Sequence, residues 1–277
     1  MVKMFTINVG GRLITTEQPL VMGILNITPD SFYEGSRVLP AEVAVRVRKM
    51  IDEGADIIDV GACSTRPQGE QVSQKEELAR LHSALEIIDK EFPDAVVSID
   101  TYRAKVVAEC CSEHNVAIIN DVSGFEWDSG MFDAVVAADK AYVLTHSVGR
   151  AGDEPRYSNF FPQMMLSLSQ KMWQLHQSGV KDVIVDVGFG FGKSLEQNYQ
   201  MLAHLNEFKM LDAPLLVGVS RKSMITKLLG VQASDALNGT TVLNTIALMK
   251  GADILRVHDV AAAVESVRLC QAVAGVI

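Results

Sequence analysis

The sequence is short of positive charge: 25 lysines and arginines stand against 34 aspartates and glutamates, a net charge of −9. That deficit excludes a general affinity for nucleic acid or for an anionic membrane surface. It leaves room for an anionic small substrate, because local lysines and arginines dominate within a Debye length of about 8–10 Å. No apolar run approaches the roughly 18 residues of a membrane span. The first residues lack the basic, apolar and small-residue pattern of a secretory leader, so a cytoplasmic location is expected. Cys63, Cys110, Cys111 and Cys270 form no CxxC pair, and free thiols in a reducing compartment are expected. The six histidines are scattered singly, which argues against a histidine-rich metal cage. No Ser-His-Asp or Cys-His constellation is evident, and Cys63 has no obvious base beside it.

Nucleotide loops are missing too, although one segment comes close. "DVGFGFGKS", residues 186–194, places three residues between Gly188 and the Gly192–Lys193 pair, where a P-loop needs four. It also runs Gly-x-Gly-x-Gly instead of the Gly-x-Gly-x-x-Gly of a dinucleotide site. Both readings fail by one residue.

What is present is a regular alternation. Short β-rich apolar runs occur at Val21–Leu25, Ile57–Val60, Val96–Ile99, Ala117–Ile119, Tyr142–Leu144, Val183–Val185, Leu215–Val219 and Ile254–Val257. Helical patterns follow, as at Ala41–Glu53, Gln74–Glu91, Ala104–Glu113, Pro162–Gln177 and Ala261–Val273. Eight strand–helix units predict a parallel (β/α)8 TIM barrel, with an open doubly wound sheet as runner-up. Before them, residues 1–17 alternate around Gly10–Gly11 and predict a β-hairpin at the barrel's N-terminal end. With 277 residues and no linker or low-complexity segment, one domain over 1–277 is expected.

In such a barrel, chemistry gathers where strands end. The strand ends here read "LNITPDSF", "DVGACSTRP", "SIDT", "INDVSG", "LTHSVG", "DVGFGFGKS", "VSRKS" and "RVHD". A single aspartate after a strand is ordinarily a helix cap, but eight polar ends converging on one mouth point to a site. Asp186 is expected to face the mouth and accept two hydrogen bonds from a flat, guanidine-like edge. The glycines at 188, 190 and 192 would let the backbone fold around that ligand, with Phe189 or Phe191 as an apolar wall. Lys193 reads equally well as a rim charge or a solvated helix-start residue. Asp100 and Asn120 offer hydrogen bonds to ring nitrogens, Lys222 a point charge, and Arg256 a planar cation for an aromatic face. Asn26, Arg66, Arg256 and His258 resemble an anion site, and Asn26 can offer an oxygen to Mg²⁺. Arg256 and His258, two apart on one strand, share a side.

The ordered set "GILNITPDSF", "STRP", "SIDT", "IND", "GFGFGK", "SRKS" and "RVHD" resembles the dihydropteroate synthase family of folate biosynthesis from Val21 to about Val273. The resemblance implies condensation of 6-hydroxymethyl-dihydropterin pyrophosphate with p-aminobenzoate, with Mg²⁺ and in a homodimer. It implies that Asp100, Asn120, Asp186 and Lys222 hold the pterin, with Arg256 stacked on it and Phe191 beside it. Asn26, Arg66, Arg256 and His258 would take the pyrophosphate. Phe32, Thr65, Pro67, Lys222 and Ser223 would take p-aminobenzoate, the position at which sulfonamides compete in this family. Asn26, Arg66, Asp100 and Lys222 would carry the catalysis, in an SN1-like reaction in which pyrophosphate leaves first. A pterin-dependent methyltransferase, a silent pterin-binding protein and a phosphate-binding barrel are the competing readings. Departures from the family pattern are Ala62–Cys63, Gln68, Thr145, Val187 and Glu34.

Overall fold

The structure is a computed structural model and describes residues 4–27, 40–63, 72–149 and 160–275. The expected positions Phe32, Thr65, Arg66 and Pro67, together with Gln68 and Glu34, lie outside the described residues.

Two short strands open the chain, β1 (Thr6–Val9) and β2 (Arg12–Thr15), paired antiparallel. Gly10 and Gly11 turn the chain with φ of 67° and 89°, the left-handed pair that a two-residue hairpin loop demands. Eight parallel strands follow: β3 (Leu20–Asn26), β4 (Ile57–Gly61), β5 (Val97–Asp100), β6 (Val116–Asp121), β7 (Ala141–Thr145), β8 (Val183–Asp186), β9 (Leu215–Val217) and β10 (Ile254–Val257). They pair in sequence order, and β10 closes on β3. The closed (β/α)8 barrel expected from the alternation is therefore observed. The β9 strand ends at Val217, two residues before the expected end, where Gly218 interrupts the apolar run.

The helices are α1 (Pro40–Asp52), α2 (Gln74–Glu91), α3 (Ala104–Glu113), α4 (Met131–Ala138), α5 (Phe160–Gln177), α6 (Leu195–Ala203), α7 (Ser223–Leu229), α8 (Leu237–Met249) and α9 (Val260–Ala274). Serines start two of them: Ser73 accepts from the Glu76 N–H, and Ser194 forms a reciprocal capping box with Gln197.

Period-2 alternation along the strands divides the apolar residues between two cores. Val21, Leu25, Ile58, Ile119, Leu144, Val185, Val217 and Leu255 face outward and pack beneath the helices. Met22, Ile57, Ile118, Val143, Ile184, Leu216 and Ile254 face inward and fill the barrel. Ile7 and Val9 of β1 join the inner cluster, so the hairpin closes the end at which the strands begin. The Arg12 guanidinium bonds the Asp94 carbonyl at 3.0 Å and ties the hairpin to that end. No helix among the described residues is long and apolar enough to cross a membrane.

Candidate functional site

The alternation that builds the inner core also builds the site. Two residues beyond five of the seven inward apolar side chains, the same face carries a polar group: Asp59 after Ile57, Asn120 after Ile118, Thr145 after Val143, Asp186 after Ile184 and Arg256 after Ile254. Asp100 and Asn26 join them at the register, where Asn26 pairs with Gly61, Gly61 with Asp100, and Asp100 with Asn120. A polar ring thus lies on top of the apolar plug.

Arg256 spans that ring. Its Nε and Nη2 donate to Asp59 Oδ2 at 2.7 and 2.6 Å, and Nη2 also meets Asp100 Oδ2 at 2.5 Å. Asn120 Nδ2 donates to the same Asp59 oxygen at 3.0 Å. One guanidinium serves two carboxylates, so a buried negative charge is left over. Burial pushes the Asp100 carboxyl up to about 7, against the pull of Arg256 and with help from Asp59. Asp59 was absent from the sequence reading, although a lone charge in the apolar run Ile57–Gly61, in phase with inward Ile57, marks it. Its Oδ1, and Thr145 Oγ1 in the same ring, are buried without hydrogen-bond partners among the described residues. Unsatisfied polar atoms in one buried ring point to a ligand that would satisfy them.

Two inward positions carry no side chain. A Cβ at Gly61 would lie 3.6 Å from Asp100 Oδ2 and 3.7 Å from Asn26 Oδ1. At Gly218 it would lie 3.7 Å from Arg256 Cβ and 3.9 Å from Lys222 Nζ. At both positions the absence of a side chain keeps the space between these charged groups free of protein carbon.

The glycine loop after β8 borders the ring at Asp186 and Lys222. Gly188, Gly190 and Gly192 have φ of 69°, 86° and 62°, a region that costs other residues roughly 1–2 kcal/mol. At Gly188 a Cβ would also stand 2.0 Å from the His146 carbonyl oxygen. The turn lets the Gly188 N–H donate to Asp186 Oδ1 at 2.7 Å, fixing the carboxylate in the ring. Phe189 is fully buried in the outer core, whereas Phe191 lies 4.8 Å from Lys222 Nζ, ring centroid to nitrogen. Of the two expected wall residues, Phe191 is thus the one beside Lys222. Lys222 Nζ also donates to the Phe189 carbonyl at 2.5 Å. Burial lowers Lys222 to about 8 despite the attraction of Asp186.

Lys193 is neither of the two things expected of it. Only 8% exposed, it donates to the carbonyls of His146 and Gly188 at 2.7 Å and of Phe191 at 3.2 Å. Three main-chain oxygens satisfy its three N–H groups, which makes it an internal brace for the glycine loop.

At the rim, Arg221 adopts φ 56° and clasps Asp259 through Nε and Nη2 at 3.0 and 2.6 Å. That clasp joins the loop after β9 to the loop after β10, and so positions Lys222 and Ser223 relative to His258. Ser220 Oγ accepts from the His258 N–H at 3.2 Å and lies 3.0 Å from its Nδ1. Asn26 holds the Arg46 guanidinium on its carbonyl at 3.0 Å. The structure therefore brings Asn26, Asp100, Asn120, Asp186, Phe191, Lys222, Ser223, Arg256 and His258 to one end of the barrel. Cys63 lies there too, with Sγ 3.9 Å from the Tyr102 hydroxyl. Burial and Glu77 raise its thiol pKa, which keeps it protonated and weakly nucleophilic.

The model of the family described as pterin binding enzyme matches residues 22–258. A dihydropteroate synthase of Clostridium beijerinckii is 42% identical over 88% of this chain and 90% of its own length. That of Escherichia coli is 39% identical over 95% of this chain and 94% of its own. Among solved structures, the Yersinia pestis dihydropteroate synthase in a sulfonamide drug complex superimposes with a TM-score of 0.91. It is 34% identical, and the match covers 98% of this chain and all of that one.

Proposed function

Because this chain belongs to the pterin binding enzymes and has dihydropteroate synthase activity, we propose how its residues divide the reaction between them. The activity is a transfer: 6-hydroxymethyl-7,8-dihydropterin pyrophosphate and p-aminobenzoate give 7,8-dihydropteroate and pyrophosphate. The observation that carries the division is the polar ring with its unpartnered Asp59 Oδ1 and Thr145 Oγ1 above an apolar plug. Asp186, Asp100 and Asn120 read the pterin's donor and acceptor edges, and Phe191 and Arg256 flank its faces. Lys222 supplies a cation beside the pterin's ring atoms. Asn26, His258, Arg256 and Arg66 take the pyrophosphate. Phe32, Thr65, Pro67, Lys222 and Ser223 take p-aminobenzoate, with sulfonamides as its competitors.

The Asn26 amide oxygen and the Asp100 carboxylate flank the gap left by Gly61, a hard-oxygen setting that fits Mg²⁺ held mainly by pyrophosphate. Bound there, Mg²⁺ would neutralise charge on the leaving group. With the Cys63 thiol protonated, no covalent intermediate on the protein is needed. The C–O bond to pyrophosphate breaks first with its electron pair on the departing oxygen. The aniline nitrogen then attacks the methylene carbon of the pterin cation, and the resulting ammonium loses one N–H proton to pyrophosphate or solvent. The buried carboxylates of the ring stabilise that developing positive charge.

Exposed apolar residues support a homodimer. Val242, Ile246 and Met249 form one stripe on α8, and Leu269 and Val273 form another on the neighbouring α9. The packing of the hairpin into the barrel supports one unit over 1–277, and we propose that it works in the cytoplasm. The test of the whole reading is incubation with pterin pyrophosphate, p-aminobenzoate and Mg²⁺, followed by chromatography. Equimolar dihydropteroate and pyrophosphate are expected. Pterin binding without product would overturn it, and loss of turnover in folded Cys63→Ala would overturn the non-covalent route.

A further inference from the structure

Where the middle of α2 packs against the C-terminal end of α3, two histidines 32 residues apart in sequence meet. His82 Nδ1 and His114 Nε2 lie 2.7 Å apart, and Glu113 Oε2 is 3.7 Å from His82 Nδ1. The three donor atoms lie within 4.8 Å of one another. Single histidines spaced along the chain gave no hint of this, because only the packing of α2 against α3 brings them together.

We propose that His82, Glu113 and His114 form a binding site for a borderline divalent transition-metal ion, Zn²⁺ or Co²⁺. The donor set is two imidazoles and a carboxylate, the composition of a three-ligand zinc site with a fourth position open to water. It differs in kind from the oxygen setting at Asn26, which suits Mg²⁺.

The surroundings prepare His114 as a ligand. Its Nδ1 faces Asp89 Oδ2 at 2.8 Å, and the other oxygen of Asp89 accepts the Asn115 N–H at 3.2 Å. The carboxylate therefore accepts a hydrogen bond from the Nδ1–H of His114, leaving the Nε2 lone pair directed at His82. A carboxylate behind a histidine is the usual second partner of a metal-bound imidazole, fixing its tautomer and raising its basicity. Without metal, His82 donates Nδ1–H to that lone pair. With metal, neutral His82 carries its proton on Nε2 instead, and both lone pairs point at the ion. No net proton is released from the two histidines.

The required movement is small. Ligands of a tetrahedral ion with bonds of about 2.0–2.1 Å stand roughly 3.3–3.4 Å apart. The histidine nitrogens, 2.7 Å apart, must separate by roughly 0.6–0.7 Å. Glu113 Oε2, 3.7 Å from His82 Nδ1 and within 4.8 Å of His114 Nε2, must close by up to about 1.4 Å, within reach of a side-chain rotation. His82 and Glu113 have 24% and 61% of their side-chain surfaces exposed, so both can turn, while His114 at 6% stays fixed. The bound ion would staple α2 to the end of α3, immediately before β6.

The probe is Co²⁺ added to the metal-free full chain in millimolar Mg²⁺, read by visible absorption. One equivalent should give the intense bands of four-coordinate cobalt, and Zn²⁺ should displace it. Zn²⁺ should also raise the midpoint of thermal unfolding. His82→Gln should weaken cobalt binding at least tenfold, and His82→Gln with Glu113→Gln should abolish the bands. Both positions are exposed enough for the fold and dihydropteroate formation to survive. Absence of the bands in the parent chain, or equal affinity in the double variant, would overturn the site. Thiolate charge-transfer bands that persist in the double variant would do so as well, assigning the metal to cysteine.

Discussion

Asp186 shows how one carboxylate is prepared for a ligand. Gly188 N–H holds Oδ1 at 2.7 Å, and burial raises the carboxyl pKa while Lys222 lowers it. In Asp186→Asn the amide oxygen can keep the Gly188 bond, which turns the NH₂ toward the pterin's own N–H groups. A buried mismatch of this kind costs about 2–5 kcal/mol. Pterin affinity should fall at least tenfold by calorimetry with the unfolding midpoint little changed; equal affinity would remove Asp186 from the pterin site. Lys222 adds a pH dependence. Its pKa is lowered to about 8, so its charge is present below that pH and lost as pH rises through it. The kcat/KM for pterin pyrophosphate should therefore decline above about pH 8. Whatever activity Lys222→Arg retains should lack that alkaline limb, because guanidinium stays charged. An unmoved limb would assign the titration to another group.

At the scale of elements, glycines at positive φ separate two costs that are usually mixed, Gly179 in the turn after α5 and Gly188 and Gly190 in the loop after β8. Gly179 has φ 92° with open space around its Cβ position, Gly190 has φ 86° with only Lys222 Cδ at 3.7 Å, and Gly188 has φ 69° with a carbonyl oxygen at 2.0 Å. Gly179→Ala and Gly190→Ala should each lose about 1 kcal/mol in denaturant unfolding, the conformational penalty alone. Gly188→Ala should lose clearly more and weaken pterin binding, since it displaces the loop that fixes Asp186. Equal losses at all three would mean that the loop yields freely. This loop was legible in sequence because glycine spacing and strand-end aspartates are local signals. The strands and the inward phase of Asp100, Asn120, Asp186 and Arg256 were legible for the same reason. Asp59 with Arg256 was not, since the pair is 197 residues apart and meets only when the barrel closes. Lys193 was misread because nothing local distinguishes a lysine before a helix from one turned inward onto three carbonyls.

For the molecule as a whole, the apolar stripes on α8 and α9 lead to a prediction about assembly. Sedimentation should give a dimer, and Val242→Glu with Ile246→Lys should yield folded monomer, because charge on a buried apolar contact is strongly unfavourable. A dimer that survives both changes would place the interface elsewhere. The hairpin has a further consequence, for traffic. With Ile7 and Val9 stopping one end and the inner cluster filling the lumen, the site is a cul-de-sac. The residues proposed to read the pterin, Asp100, Asn120 and Asp186, line its floor, whereas Ser223 stands exposed at the start of α7 on its rim. Whatever settles at the floor enters first, and a molecule at the rim then blocks its retreat. Isotope trapping reads this out: labelled pterin pyrophosphate, bound first and then chased with unlabelled substrate, should be carried into product more fully as p-aminobenzoate rises. A trapped fraction that ignores p-aminobenzoate would reveal a second door.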